Sequence, residues 1–297
     1  MSKTYRSLLG REVRAVEDAT LDVNAGEVLG IAGPNGAGKS TIISLLLGFL
    51  QPTKGTISIE GMKPRAYVEK YGVSYVPELM ALPTHWRTEG ALRRLAVLTG
   101  VRASALTAEV DRVIDTLSIE EHRAKRLKTL SKGSLQRVGL AQALLSDTRV
   151  VIFDEPTHGL DPVWTQKFRE IVATLKRADR AIIIASHNLD ELERLADRVA
   201  IIDRGRIQRV VAVSGASVTE LMAYRIRVVA GADALVAHFP GSTLGAHGDL
   251  DVPPLDVPTL NAGLAGAIAG GALISAVIPR ESALEQAFHS AVAAGPS

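Results

Sequence analysis

Gly33-Pro34-Asn35-Gly36-Ala37-Gly38-Lys39-Ser40-Thr41 is the stretch of this chain whose residue types and spacing can hold a phosphate chain. It fits the pattern G-x-x-x-x-G-K-[S/T] in full. The glycines let the backbone fold into a concave nest of N–H donors, and a helix beginning there adds a partial positive charge. Lys39 would reach the β- and γ-phosphates, and the Ser40 hydroxyl would ligate Mg²⁺. A second cluster is Asp154-Glu155, which ends the apolar run Val150-Val151-Ile152-Phe153. Asp154 is placed to complete the metal shell, and Glu155 to orient and polarise an attacking water. Ser186-His187 ends another apolar run, where a histidine can donate to a γ-phosphate. Each has a plainer reading: a glycine turn with an incidental lysine, two acids at a strand end, and a structural histidine. Together they favour a nucleoside triphosphate as ligand.

These residues need particular elements to position them. Val28 to Ala32 is a short apolar run of buried-strand type, and Thr41 to Leu47 is apolar at helical spacing until Gly48. A strand, a glycine turn and a helix in that order are the context the motif requires. Arg149 to Glu155 and Ala181 to His187 read as central parallel strands, whose carboxyl ends are where ligands bind in such sheets. Asn188 to Asp197 reads as a helix and Val199 to Asp203 as a strand. Two smaller strands are expected at 55–61, between glycines, and at 72–78, ending near Pro77. Val13, Leu21 and Val23 suggest strand positions ahead of the turn Asn24-Ala25-Gly26-Glu27. Between residues 79 and 145 the period becomes helical, with apolar residues three and four apart over Thr88–Leu98 and Leu106–Leu117.

Composition narrows the class. The chain has 297 residues, 46% of them apolar and 22% charged, an ordinary balance for one or two globular domains. The formal net charge of +2 gives no reason to expect nucleic acid as the main partner. There are no cysteines, which excludes disulfides and thiolate metal sites within these residues. The opening residues lack the apolar core of a signal peptide. Ala262 to Ile278 is the stretch nearest to a membrane span, but its glycines and Pro279 read as a helix end, a turn and a strand. Work at a membrane would require a partner.

Taken together, the motifs closely resemble the ATP-binding subunit of ABC transporters. The phosphate loop, Asp154-Glu155-Pro156-Thr157, Gly159-Leu160-Asp161-Pro162 and Ser186-His187 stand in that family's order. Leu130 to Arg137 (Leu-Ser-Lys-Gly-Ser-Leu-Gln-Arg) looks like its signature motif. The likeness runs from about Tyr5 to Ile207. It implies an α/β fold: a P-loop NTPase core with a mixed sheet and a helical subdomain at about 79–145. It also implies ATP and Mg²⁺ as ligands, and a head-to-tail dimer with two ATP molecules at the interface. In that arrangement Ser131, Gly133 and Asp161 would reach the nucleotide held by the other copy. Tyr5 would stack on adenine, although as a bare residue it reads first as a surface aromatic.

Two departures from the family pattern bear on function. Lys132-Gly133-Ser134 stands where two glycines and a glutamine are usual, and the lysine variant is associated with exporters whose permease is a separate six-helix protein. Glu78 stands where the family has a glutamine, so it could bind the metal or face the permease. Leu79, Met80, Leu82 and Trp86 beside it could form the docking surface or lie buried under their loop. The resemblance therefore implies an ATPase powering export through a separate permease, cytoplasmic and peripheral on the inner face of the membrane. The contrasting reading is a soluble ATPase of the same family in translation or DNA maintenance. A non-hydrolysing switch is disfavoured by Glu155 and His187.

The ATPase domain is expected over 1–207 and a connector over 208–223, with a short helix near Val218 to Met222. An accessory domain should follow over 224–297. There, strands at Tyr224–Val228 and Leu273–Ile278, helices at Asp233–Phe239, Pro258–Gly270 and Glu281–Val292, and a turn at Gly248-Asp249-Leu250 suggest a small ferredoxin-like α+β domain. Pro253-Pro254 interrupts one of its strands. His238, His247 and His289 are too scattered to suggest a metal site.

Overall fold

Four strands that read as unbroken apolar runs lie side by side at the centre of the larger unit. The computed structural model describes all residues except 7–11, 80, 214–220, 246–248, 281 and 294–297. It divides into two compact units, Met1–Val211 and Ala212–Ser297. In the first, β1 (Lys3–Arg6) and β2 (Glu12–Val16) form an antiparallel pair. β3 (Val28–Ala32), fully buried, leads into α1 (Lys39–Leu46), and α2 (Pro64–Tyr71) precedes β4 (Ser74–Val76). Three helices follow: α3 (Thr88–Leu98), α4 (Leu106–Thr116) and α5 (Lys132–Leu145). Then come β5 (Val150–Asp154), α6 (Pro162–Leu175), β6 (Ala181–Ser186), α7 (Leu189–Leu195), β7 (Arg198–Asp203) and β8 (Arg206–Ala212).

The main sheet has the order β4-β5-β6-β3-β7-β8. The pairs from β4 through β7 are parallel, so Ala32, Asp154 and Ser186 emerge together at one edge. Ala32 lies opposite Ser186, and Asp154 opposite Ala185. β8 returns from β7 through Arg204-Gly205, both at positive φ. Gly30 allows α7 to sit close on β3, since a Cβ there would meet Val199 at 2.9 Å and Leu192 at 3.2 Å. Under the sheet, Phe153 and Phe168 meet edge to face at 5.3 Å between ring centres. Both are fully buried. Phe153→Ala is therefore expected to cost about 3–5 kcal/mol. It should lower the urea midpoint with an unchanged slope.

The expected strand at 55–61 is absent. Ile59 and Met62 instead exchange backbone hydrogen bonds across Glu60 and Gly61, both at positive φ, so the segment is a tight turn with an isolated bridge. The first turn of α5 begins at Lys132, capped by Ser131. Residues 208–212, expected to be connector, continue β8 instead. The end of the helix expected over Val218 to Met222 is not helical, since Leu221 lies in no regular element and Met222 begins a strand, while 218–220 are outside the described residues.

The second unit contains β9 (Met222–Ala230), α8 (Ala232–His238), β10 (Thr243–Leu244), β11 (Leu250–Leu255), α9 (Val257–Ala269), β12 (Leu273–Pro279) and α10 (Ala283–Ala293). Its sheet is antiparallel in the order β10-β11-β9-β12, the ferredoxin-like arrangement. The strand carrying Pro253-Pro254 survives because its register shifts between Val252 and Leu255, an irregularity that accommodates residues with no N–H to donate. Ile226, Leu235, Phe239, Leu250 and Leu260 make the core. His238 bonds the Ala234 carbonyl and His289 lies beside Phe288, while His247 is outside the described residues, as is Gly248 of the expected turn. Among the described residues, no helix is long and apolar enough to cross a membrane.

Candidate active site

The turn between β3 and α1 is confined to glycine at two points. A Cβ at Gly33 would come within 2.4 Å of the Ile202 carbonyl oxygen. Gly38, at φ 113°, faces the Ala15 carbonyl, which a Cβ would approach to 2.5 Å. This packing presses the loop Gly33 to Gly38 against β2 and β7 and leaves Lys39 and Ser40 at the helix start. Pro34, Asn35 and Gly36 form the outward bend, Ala37 is buried beneath it, and Thr41 follows on α1. Lys39 is 7% exposed, and its Nζ donates to the Gly33 carbonyl at 2.7 Å and the Pro34 carbonyl at 3.3 Å. Its remaining partner is Glu155 Oε1 at 3.3 Å.

Glu155 follows β5 and carries a φ of 48°, a left-handed conformation that costs a non-glycine residue roughly 1–2 kcal/mol. Its N–H is held by the Ala185 carbonyl at 2.8 Å. The carboxylate then lies between two elements: Oε1 near Lys39, and Oε2 at 2.8 Å from His187 Nδ1. His187 itself is 55% exposed, so one side of its ring fixes the acid and the other is open to a ligand. Phosphate loop, acid and histidine thus converge, as their places on parallel strands require.

Asp154 accepts a hydrogen bond from Ser40. Burial pushes its carboxyl up to about 6, against the pull of Ser40, and the charges of Glu155 and Glu78 add to the rise. Tyr75, pushed up to about 12 mainly by burial, senses the same two acids, Asp154 and Glu78. A hydroxyl and a carboxylate crowded by further negative charge are hard oxygen donors that fit Mg²⁺. Ser40 and Asp154 would hold it. Glu78 turns to another partner, since its Oε1 is 2.9 Å from His158 Nδ1. His158 packs edge-on to His187, with ring centres 6.3 Å apart. Leu79 beyond Glu78 is exposed, Trp86 is half-buried with the Arg94 guanidinium over its ring, and Met80 is outside the described residues.

The remaining expected residues form a separate group. Ser131 is exposed and caps α5, accepting the Ser134 N–H at 3.1 Å. Gly133 packs closely on Gly159, whose carbonyl oxygen a Cβ would approach to 3.1 Å. Gln136, buried, donates to the Pro156 carbonyl at 3.2 Å, and Arg137 lies over Trp164 at 4.4 Å. Asp161 caps α6 through the Trp164 N–H, with Pro162 in the first turn. The start of α5 and the segment after Glu155 therefore share one surface. Tyr5 is 40% exposed on β1, opposite Val13, with the Lys3 ammonium over its ring.

Sequence reasoning missed His158, His122 and the buried Glu191, which accepts from Thr157. Thr157 and His158 were within reach as members of the run that includes Asp154-Glu155. The contacts of His122 and Glu191 carry no local signal.

A family model described as ABC transporter matches residues 16–158. An uncharacterized ABC transporter ATP-binding protein of Nostoc is 36% identical over 214 residues, covering 70% of this chain and 63% of the relative. The match thus spans less than two thirds of that protein's length. The ABC transporter ATP-binding protein NatA of Bacillus subtilis is 32% identical over 199 residues, covering 66% of this chain and 80% of NatA. Among solved structures, one titled as the ATP binding subunit of an ABC transporter superposes with a TM-score of 0.63 at 29% identity, covering 71% of this chain and 87% of its own. The dimeric cassette MJ0796 shares the fold at a TM-score of 0.66 and 19% identity, over 72% of this chain and 97% of its own.

Proposed function

Because the chain belongs to the ABC transporter ATP-binding proteins, a family of ATPases, we propose that two copies close head to tail around ATP and power export through a separate permease. The observation that carries this reading is the division of the expected nucleotide contacts into two groups. Lys39, Ser40, Asp154, Glu155 and His187 meet at one sheet edge. Ser131 and Gly133 stand at the exposed start of α5, against Gly159. A second copy brings the two together, and the related fold of MJ0796 is titled a dimer.

In the closed site Lys39 and the loop N–H groups bind the β- and γ-phosphates, and the Ser131 hydroxyl and α5 start meet the γ-phosphate from the other copy. Tyr5 stacks on adenine, and Asp161 lies at the copy-to-copy interface. Ser40 and Asp154 would hold Mg²⁺, which would neutralise charge at the phosphate oxygens. Glu155 aligns a water and accepts its proton as the water oxygen bonds the γ-phosphorus and the bond to the ADP oxygen breaks. His187 holds Glu155 by Nδ1 and turns its exposed edge toward the γ-phosphate. ADP and phosphate no longer bridge the copies, which separate.

The permease is met by the loop from Glu78 to Arg87, with exposed Leu79 and half-buried Trp86 on it. On this reading the protein works on the inner face of the membrane. Lys132 supports export, and the ferredoxin-like unit serves dimer contact or regulation. The test uses the full chain bearing Glu155→Gln, with light scattering in ATP and magnesium. A dimer that returns to monomer with ADP or a chelator is expected; a persistent monomer in magnesium-ATP overturns the reading.

A further inference from the structure

We infer that Glu191 is a positioning residue for ATP hydrolysis, holding the segment of the general base against the segment of His187 through Thr157. This rests on the reading of Glu155 and His187 as the pair that acts on the attacking water. Two strand ends carry that pair: β5 runs into residues 155–160, and β6 into residues 187–191. The sheet fixes where each segment begins, and bonds beyond its edge must set the spacing that follows.

Two bridges span the gap. The first is the pair itself, His187 Nδ1 to Glu155 Oε2 at 2.8 Å, with the His187 N–H and the Ser186 hydroxyl each 3.4 Å from the same oxygen. In the second, the Thr157 hydroxyl donates to Glu191 Oε2. Both ends of the second bridge are anchored in the turns that carry the first. The His158 N–H donates to the Glu155 carbonyl at 3.1 Å and the Leu160 N–H to the Thr157 carbonyl at 2.9 Å, so Thr157 moves with the base. On the other side the Glu191 N–H donates to Asn188 Oδ1 at 3.2 Å, and the Asn188 N–H to Ser186 Oγ at 3.1 Å. Glu191 therefore moves with the residues around His187.

Packing alone does not account for an acid at this place. Glu191 is 1% exposed, and its Oε1 has no hydrogen-bond partner among the described residues. Burial pushes its carboxyl up, with the charge of Glu155 adding to the rise and Thr157, Arg169 and His187 opposing it. A buried carboxyl group with one oxygen unpaired is less favourable than an apolar side chain of similar size. What the acid supplies is an acceptor for Thr157, the one side-chain hydrogen bond it makes among the described residues. A carboxyl oxygen can accept a hydroxyl hydrogen whether the group is ionised or neutral, so the bridge does not depend on its charge.

The test measures phosphate release and nucleotide affinity in variants of the full chain. Glu191→Leu removes the acceptor and should lower the rate roughly ten- to a hundredfold, the scale on which a misplaced catalytic group slows a reaction. ATP affinity should stay within about twofold, a split that a general loss of structure would not produce. Thr157→Val exchanges the hydroxyl for a methyl group; it should give the same loss and keeps the test open if Glu191→Leu folds poorly. The double variant should be no slower than either single one, because each alone removes the same bridge. Glu191→Gln keeps a carbonyl oxygen for Thr157 and should recover most of the rate. The Nδ1–H resonance of His187, read by NMR with isotope-labelled histidine and no nucleotide, should move in Glu191→Leu and return in Glu191→Gln. Rates within about threefold of the parent in both Glu191→Leu and Thr157→Val overturn the inference. So do additive losses in the double variant, no recovery with Glu191→Gln, or an unmoved His187 resonance. His187→Ala separates the two levels: an unchanged rate there defeats the reading of His187 itself, whereas a loss beside normal Glu191→Leu and Thr157→Val defeats only the role of Glu191.

Discussion

Glu155→Gln is expected to lower the rate of phosphate release by roughly a hundred- to ten-thousandfold, the usual worth of a positioned general base. The substitution keeps shape and changes charge. Glutamine can fill the same volume after β5, keep the left-handed backbone of Glu155 and retain its N–H bond to Ala185. What it cannot do is accept a proton from water. It also frees Lys39 from its carboxylate partner at 3.3 Å, leaving the ammonium to the phosphates. ATP affinity should therefore hold or improve while turnover falls. Retention of turnover within about threefold of the parent would remove Glu155 from the role of base and leave it as a strap between Lys39 and His187.

The parallel strands were legible because burial on both faces selects continuous apolar runs, and Val28–Ala32, Val150–Phe153 and Ala181–Ala185 are such runs. Once their order is known, the site follows, since parallel strands deliver Ala32, Asp154 and Ser186 to one edge. Alternation was a weaker guide. At 55–61 it suggested a strand, but a strand also needs a neighbour, and the turn at Glu60-Gly61 leaves Ile59 bonded only to Met62. α2 passed unnoticed although Pro64 marks its start, because its single deeply buried large residue, Tyr67, sets no apolar stripe. The contacts that refine the site were the least legible. Glu78 meets His158, and Glu155 meets His187, across long sequence separations that depend on the sheet order. Ser131 reads as a helix cap from its spacing to Ser134, but nothing local ties that pair to His122.

Lys39→Ala should abolish measurable ATP binding at concentrations where the parent saturates, a loss of about a hundredfold or more. The ammonium would make charge-assisted hydrogen bonds to phosphate, each worth about 1.5–3 kcal/mol when one partner is ionised. The expectation needs a control, because Lys39 also has structural partners. It holds the Gly33 and Pro34 carbonyls and balances the buried Glu155 charge. Removing one member of a buried pair can itself destabilise by several kcal/mol, since the other charge is left uncompensated. The double variant Lys39→Ala with Glu155→Gln separates these causes. It eliminates both charges, so its urea midpoint should recover most of what Lys39→Ala loses. Its ATP affinity, read by equilibrium dialysis with labelled nucleotide, should stay as low as in the single variant. Recovery of binding together with stability would mean that Lys39 serves the loop and not the phosphates. Binding that stays lost in a stable protein assigns the ammonium to the nucleotide.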